Sequence, residues 1–312
     1  MKGDITDRPR PASLSVIIVS YNVRDLLLAC IASLEGTDCE IIVVDNVSED
    51  DSVEAVREVA PHVTVIANSE NVGFARANSQ GIEVCSGDFI LLLNPDTVVK
   101  DGALAALTQA LADHPNLGVV GPRLVNRDGS LQCACLEFPT PWRIFRDHVL
   151  YAAASPPPRE PRALPVADCD WVLGACLMTR RTVLEEVGGL DAEYFMYGEE
   201  KDFCFRAKQA GHRVACVPAA EVVHYGGQSA DQVPVKTYVA FLDSQMRFLR
   251  KFRPAGQGWL FASCNCLMCR AKQLACLALG ALPLGDRSRW RGKADVFAAG
   301  ARRCSEHLKS GR

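Results

Sequence analysis

The sequence predicts an open, doubly wound α/β domain followed by a helical, basic extension, and three observations carry that prediction. Short apolar runs alternate with helix-period segments through the first ~120 residues, the pattern of successive βαβ units. Those runs are apolar at nearly every position, as expected of parallel strands covered by helices on both faces. The third observation is bulk, because 312 residues that are 48% hydrophobic and 23% charged can close a substantial core. The same figures exclude a disordered chain, a disulfide mini-scaffold and a collagen-like fibre.

Taken in order, Ser15–Ser20 is a β-branched strand, Arg24–Leu34 a helix and Glu40–Val44 a second strand. Asp51–Val59 reads as a helix, Val63–Ala67 as a third strand and Phe74–Cys85 as a helix. Phe89–Leu93 is a fourth strand and Gly102–Ala112 another helix. After Gly121 the rhythm breaks at a polar turn, Asn126–Gly129. The stretch Ser155–Pro165 contains Pro156, Pro157 and Pro158, which are excluded from helix interiors and central strands, so it predicts a surface loop or lid. Trp171–Thr179 reads as a strand, Glu199–Ala210 as a helix, and Arg213–Val217 and Glu221–His224 as short strands.

From Lys236 the pattern is helical. A wheel of Lys236–Arg253 places Tyr238, Val239, Phe241, Leu242, Met246, Phe248, Leu249 and Phe252 on one half, with Lys236, Arg247, Arg250 and Lys251 opposite. That is an amphipathic helix with a basic polar face. Trp259–Leu284 is apolar too, but Arg270 and Lys272 interrupt it, each costing about 2.5–3.5 kcal/mol at a bilayer centre, which favours an interfacial over a spanning helix.

The net charge of −3 hides an asymmetry. Residues 236–312 carry 15 Lys and Arg against 4 Asp and Glu, a surplus of +11, while residues 1–235 carry 19 against 33. A basic end of this kind suits an anionic membrane surface or a nucleic acid, or is simply solvated helix. Nucleic acid is the poorer fit, because no aromatic–basic platform accompanies the charge. Met1 to Pro11 is polar with two prolines and does not read as a signal peptide. The 14 cysteines are therefore expected to be reduced thiols of a cytosolic protein. Cys264, Cys266, Cys269 and Cys276 have a spacing that fits no standard metal site.

Ligands of open α/β sheets bind beyond the carboxyl ends of the strands. Here those ends are Ser20-Tyr21-Asn22, Asp45-Asn46 and Asn94-Pro95-Asp96. Tyr21, Asp45 and Asp96 together offer an aromatic platform, a hydrogen-bond acceptor and a metal-binding carboxylate, which a pyrimidine nucleoside diphosphate requires. Alternatively, Asp45 and Asp96 only shape turns. No G-x-G-x-x-G follows the first strand and no P-loop is present, so NAD binding and NTPase activity are poor readings. Asn71, Gly73, Arg76 and Asn78 open a helix whose N-terminus suits an anion, or the first two merely cap it. Glu199, Glu200 and Asp202 begin another helix, where acidic residues are favourable whatever the function. His224 ends a strand before Tyr225-Gly226-Gly227-Gln228-Ser229, and is either structural or a metal ligand beside Asp96.

These stretches resemble a known family. Val19-Ser20-Tyr21-Asn22, Val44-Asp45-Asn46, Asn71-x-Gly73-Phe74-Ala75-x-Ala77-Asn78, Leu93-Asn94-Pro95-Asp96, Gly198-Glu199-Glu200-x-Asp202 and His224-x-Gly226-Gly227-x-Ser229 stand in the order seen in family 2 inverting glycosyltransferases of GT-A fold. The chain is most similar to the rhamnosyltransferase-like branch that builds bacterial cell-surface polysaccharide, over about residues 14–230. The resemblance implies a nucleotide-diphospho-sugar donor, dTDP-rhamnose or a UDP-sugar, held by Ser20, Tyr21, Asn22, Asp45, Asn71, Gly73, Arg76, Asn78, Asn94 and Asp96. It implies Mg²⁺ or Mn²⁺ on Asp96 and His224, a base at Glu200 or, failing that, Glu199, and Trp171 and Gly174 beside the sugar or acceptor. Asp202 is implied as a supporting or capping residue. The acceptor would be lipid-linked or a polysaccharide, and the enzyme would lie peripherally on the inner face of the cell membrane, with homodimerisation left open. In this sequence Asn94 replaces the first acidic residue of a D-x-D motif, and Glu200 replaces the usual Asp. The implied organisation is an N-terminal tail (1–13), a GT-A domain (14–235, with a nucleotide-binding half 14–121 and an acceptor half 122–235) and a membrane-associating tail (236–312). A catalytically silent nucleotide-sugar-binding or scaffold protein is the competing reading, although Asp96, Glu200 and His224 are all retained.

Overall fold

The computed structural model describes residues 13–133, 135–140, 142–143, 146, 165–226, 233–281 and 287–310. The expected loop around Pro156–Pro158, the residues Gly227, Gln228 and Ser229, and the N-terminal tail 1–12 lie outside them.

The βαβ rhythm is present almost residue for residue. β1 (Leu14–Ser20), α1 (Arg24–Ala32), β2 (Cys39–Asp45), α2 (Ser52–Val59), β3 (Thr64–Ala67), α3 (Phe74–Val84) and β4 (Phe89–Leu93) alternate as expected, followed by a short β5 (Thr97–Val99) and α4 (Ala103–Asp113). β6 (Leu117–Val125), β7 (Leu131–Cys133), β8 (Ala167–Asp168), β9 (Cys176–Arg180), α5 (Arg181–Val187), α6 (Glu199–Gln209) and β10 (Arg213–His224) complete the α/β body. The sheet order is β3-β2-β1-β4-β9-β6-β10-β5, with β7 on β6 and β8 on β10. β3, β2, β1, β4, β6 and β10 run one way, whereas β9 and β5 run against them.

Every residue of β1 and β4 is buried. Val16, Ile18, Leu91 and Leu93 pack into one apolar layer, and Ile17, Val19, Ile90 and Leu92 into the layer across the sheet. This two-sided burial is what the unbroken apolar runs foretold. In the β1–β2 register Ser20 stands opposite Asp45, and Ile18 stands opposite Leu93 on β4, so the polar strand ends emerge along one edge.

Two expectations are corrected and one unexpected strand is added. The strand expected over Trp171–Thr179 begins only at Cys176, because the chain turns through Leu173–Cys176, and Trp171 forms only an isolated bridge to Leu136. The two short strands at 213–217 and 221–224 are one strand, β10, whose register with β6 slips between Val217 and Glu221. Pro218 lies in that interval and has no N–H to offer the ladder. β6 itself was masked in the sequence by Gly118, Gly121 and Pro122; a Cβ on Gly121 would sit 2.8 Å from Val172 Cβ, so glycine permits the close approach.

The extension consists of α7 (Pro234–Phe252), α8 (Ala255–Ala281) and α9 (Arg287–Ser310). Leu242, Met246 and Leu249 of α7 join Phe261, Ala262 and Cys304 in a separate apolar cluster. Phe248 and Phe252 close an aromatic group with Phe138 and Phe205 of the body, at centroid distances of 4.4–5.7 Å. Part of the basic face of α7 meets the body, since Arg247 pairs with Glu193 and Lys251 with Asp191 and Asp202, while Lys236 and Arg250 stay exposed. Among the described residues no helix is long and apolar enough to cross a membrane.

Candidate active site

Asn94, Pro95 and Asp96 form the tight turn between β4 and β5. Thr97 Oγ1 donates to Asn94 O (2.7 Å), and the Tyr225 N–H donates to Asp96 O (2.9 Å). The β5–β10 pairing sets His224 opposite Thr97, bringing the imidazole to the Asp96 carboxylate, with Nε2 3.3 Å from Oδ1. Both side chains are buried.

The tautomer of His224 follows from Gln132 on β7. The Gln132 amide nitrogen donates to two carbonyl oxygens, His224 O and Asn126 Oδ1, each at 3.1 Å. Its Oε1 is therefore an acceptor and takes the His224 Nδ1 proton at 2.6 Å. In the neutral ring Nε2 is then a lone pair aimed at Asp96, with the Asn94 amide 3.5 Å away. A carboxylate and an imidazole lone pair so placed could share a cation, and the Gln132 bond fixes the ring as outer partners of metal-bound histidines do. No group of three or more His, Cys, Asp or Glu side chains that could enclose a metal occurs among the described residues. Asp96 and His224 alone could thus give only two protein donors to Mg²⁺ or Mn²⁺, the remaining positions falling to ligand oxygens and water.

Along the same edge, Asp45 is buried and accepts from Ser48 N (2.8 Å) and Ser48 Oγ (2.5 Å), so the carboxylate does shape a turn. That turn is tied to the first strand end, since Asn22 N donates to Ser48 Oγ (2.9 Å) and Glu49 N to Asn22 Oδ1 (2.7 Å). Asn22 and Val47 both have left-handed backbones, with φ of 52° and 63°. For a β-branched residue such as Val47 this is strained, a condition that gathers at binding sites. Tyr21 is half-buried beside this loop. Ser20 Oγ and Asn78 Oδ1 are buried with no hydrogen-bond partner among the described residues. Asn71 caps the turn before α3, accepting from Gly73 N at 3.0 Å, while Arg76 lies exposed and donates to Ala192 O at 3.4 Å.

The acidic cluster opens α6 behind two consecutive left-handed residues, Tyr197 (φ 70°) and Gly198 (φ 88°). Glu199 and Glu200 are both buried. Burial raises the Glu200 carboxyl above its usual range, against the pull of Lys201 and of the Gly198 N–H, which donates to Glu200 Oε2 at 2.9 Å. Glu199 is raised well above that range by burial and by Glu200, and its Oε2 is unsatisfied among the described residues. Burial lowers Lys201 to about 8. Its Nζ donates to Gln245 Oε1 (2.7 Å) and stands 5.1 Å from the Trp171 ring centre. Trp171 thus underlies Lys201, and its indole N–H donates to Glu137 O (3.2 Å). Asp202 is buried between Arg206 and Lys251.

One loop joins the two halves of the site. Asn94 N donates to Ala175 O at 2.9 Å, and a Cβ on the neighbouring Gly174 would lie 3.5 Å from Glu200 Cβ. The Gly174–Ala175 stretch therefore touches the Asn94–Asp96 turn on one side and the buried Glu200 on the other. Gln132, Ser48 and Lys201 take part without having been singled out in the sequence. Ser48 carried one usable signal, its position three residues after an Asp at a strand end.

The model for the family described as Glycosyl transferase family 2 matches residues 15–165. The chain is 30% identical over 259 residues to N-acetylglucosaminyl-diphospho-decaprenol L-rhamnosyltransferase of Mycobacterium tuberculosis, covering 76% of this chain and 83% of that protein. It belongs to glycosyl transferase family 2. This family 2 glycosyltransferase is also 26% identical over 252 residues to Rhamnosyltransferase WbbL of Escherichia coli, covering 76% of this chain and 93% of that one. The solved structure of mannosyltransferase PcManGT from Pyrobaculum calidifontis, in complex with GDP-Man and Mn2+, superposes with a TM-score of 0.58 at 18% identity, over 95% of this chain and 88% of that one. The glycosyltransferase is thus rhamnosyltransferase-like in sequence and GT-A in fold.

Proposed function

We propose that this glycosyltransferase moves a sugar, with inversion, from a nucleotide-diphospho-sugar to a lipid-linked or polysaccharide acceptor at the inner membrane face. The observation that carries this reading is the placing of the Asp96–His224 pair and the buried Glu200 against the same Gly174–Ala175 stretch. The relative from Mycobacterium tuberculosis is named for a diphospho-decaprenol sugar and for L-rhamnose, which supports dTDP-rhamnose or a UDP-sugar as donor.

In this scheme the strand-end loops around Tyr21 and Asp45 receive the base and ribose, and the orphaned Ser20 Oγ and Asn78 Oδ1 find ligand partners. Asp96 and His224 would hold Mg²⁺ or Mn²⁺. When bound, the cation neutralises charge that develops on the leaving nucleoside diphosphate. Glu200 takes the acceptor hydroxyl proton as the oxygen attacks the anomeric carbon opposite the leaving group. A carboxyl raised by burial is better matched to that task near neutral pH than an ordinary one.

A panel of nucleotide sugars offered with Mn²⁺ and a polyprenyl-diphospho-sugar acceptor tests the proposal. One donor should yield product of inverted anomeric configuration by NMR. Glu200→Gln should lower kcat by roughly 10²–10⁴-fold while donor binding persists, and Asp96→Asn should abolish the Mn²⁺-dependent thermal shift. Full turnover by Glu200→Gln would remove Glu200 from its role; donor binding without turnover in the unmodified chain would favour the catalytically silent alternative.

For membrane attachment, α8 is the better-supported element. Trp259, Leu267, Leu274 and Leu277 are 64%, 73%, 68% and 48% exposed. Arg270 lies exposed between Leu267 and Leu274, beside a groove of about 450 Å³ that Arg302 and Lys309 also line. Apolar side chains flanked by cations suit the headgroup region of an anionic bilayer.

A further inference from the structure

A second cavity, of about 990 Å³, lies where α7 and α9 meet the loop that leads to the catalytic helix. Its size is at the upper end of ordinary ligand pockets, which measure about 300–1,000 Å³. Phe195, Val235, Val239 and Ala240 give it an apolar wall.

Its charges are unbalanced. Five cations line it, Lys236, Arg247, Arg250, Lys251 and Arg303, against three carboxylates, Asp191, Glu193 and Asp243. Each carboxylate already has a cationic partner: Asp191 has Lys251, Glu193 has Arg247, and Asp243 has Arg303 and His307. Asp202, which shares Lys251, also holds Arg206, and Glu306 pairs with Arg303. Arg250 is left with neutral oxygens, Ser310 Oγ at 3.1 Å and His307 O at 3.4 Å. Lys236 is exposed, with no carboxylate within ion-pair distance among the described residues. Two unneutralised cations above an apolar wall call for an anion that carries an apolar chain.

The cavity adjoins the segment that leads into α6. Phe195 is 55% exposed, and the carbonyl of the same residue accepts from Phe74 N (2.7 Å) at the start of α3. Ser244, also lining the cavity, donates to Met196 O at 2.8 Å, three residues before Glu199. A ligand here touches the segment that delivers the acidic pair.

We propose that this cavity binds the diphosphate of an isoprenoid-linked acceptor, with Arg250 and Lys236 receiving the anion and Phe195, Val235 and Val239 the first carbons of the chain. The proposal rests on the lipid-linked acceptor reading above. It is tested on the full chain by calorimetric titration with farnesyl diphosphate, the donor site being saturated with a nucleoside diphosphate and Mn²⁺. Saturable binding is expected, weakened about tenfold or more in the Arg250→Ala/Lys236→Ala double variant and largely kept in Arg250→Lys. Both residues are exposed, so the fold should survive the changes. Equal affinity in the double variant, or complete loss of binding once the donor site is filled, overturns the proposal. Farnesol binding as tightly as farnesyl diphosphate, or inorganic diphosphate doing so, overturns it too, since the site would then be only greasy or only cationic. If farnesyl diphosphate binds in an Arg250-dependent manner but no donor supports transfer, the site stands and the transferase reading fails.

Discussion

At the scale of single residues, the acidic pair makes the sharpest statement about pH. Burial raises both Glu199 and Glu200 above the ordinary 4.5, so the folded chain keeps their protons to higher pH than the unfolded chain does. A raised carboxyl stabilises the fold below its unfolded value and withdraws that contribution as pH rises through its folded value. Glu199→Gln, which keeps the shape and removes the charge, should therefore raise Tm at pH 8 and leave it nearly unchanged at pH 4. An equal shift at both values in thermal melts would show that packing, not charge, is responsible. By the same logic, kcat should rise with pH along an acidic limb centred above the ordinary carboxylate range of about 4. That Asp96 and His224 meet was foreshadowed by their places at strand ends, whereas Glu200 was singled out only by its place in the stretch that resembles the family. Gln132 was not, since its importance is a contact with a histidine 92 positions away.

At the scale of elements, the turn into α3 is set by how closely it approaches the loop ahead of α6. Gly73 has φ 85°, and a Cβ there would fall 2.5 Å from Phe195 O. Gly73→Ala should then cost at least the ~1–3 kcal/mol of a strained backbone position and weaken donor binding, as melting and donor titration would show. An unchanged melt would mean that the turn can retreat from Phe195. Strands β1, β2 and β4 were legible because their two-sided burial leaves an unbroken apolar signal. β6 and the slipped middle of β10 were obscured because Gly118, Gly121, Pro122 and Pro218 are placed for close packing and irregular pairing, which no local preference reports.

At the scale of the molecule, the charge asymmetry proved real in the sequence but is partly neutralised in the fold. The basic face of α7 meets Asp191, Glu193 and Asp202 of the acidic body, which a helical wheel cannot reveal. The exposed apolar stripe lies on α8 instead. Leu267→Glu/Leu274→Glu should abolish sedimentation with anionic liposomes, while Arg247→Gln should leave it largely intact; the reverse ranking would return attachment to α7.

Asp202 has a practical consequence. It sits within two residues of Glu200 and is gripped from outside by Lys251, while Lys201 reaches Gln245 and Met196 O accepts from Ser244. The α/β body and the helical extension are therefore braced to one another at α6 and α7. A chain ending at residue 235 would lose the brace of α6 together with the surface proposed to meet the membrane, so only point substitutions can separate the two proposals.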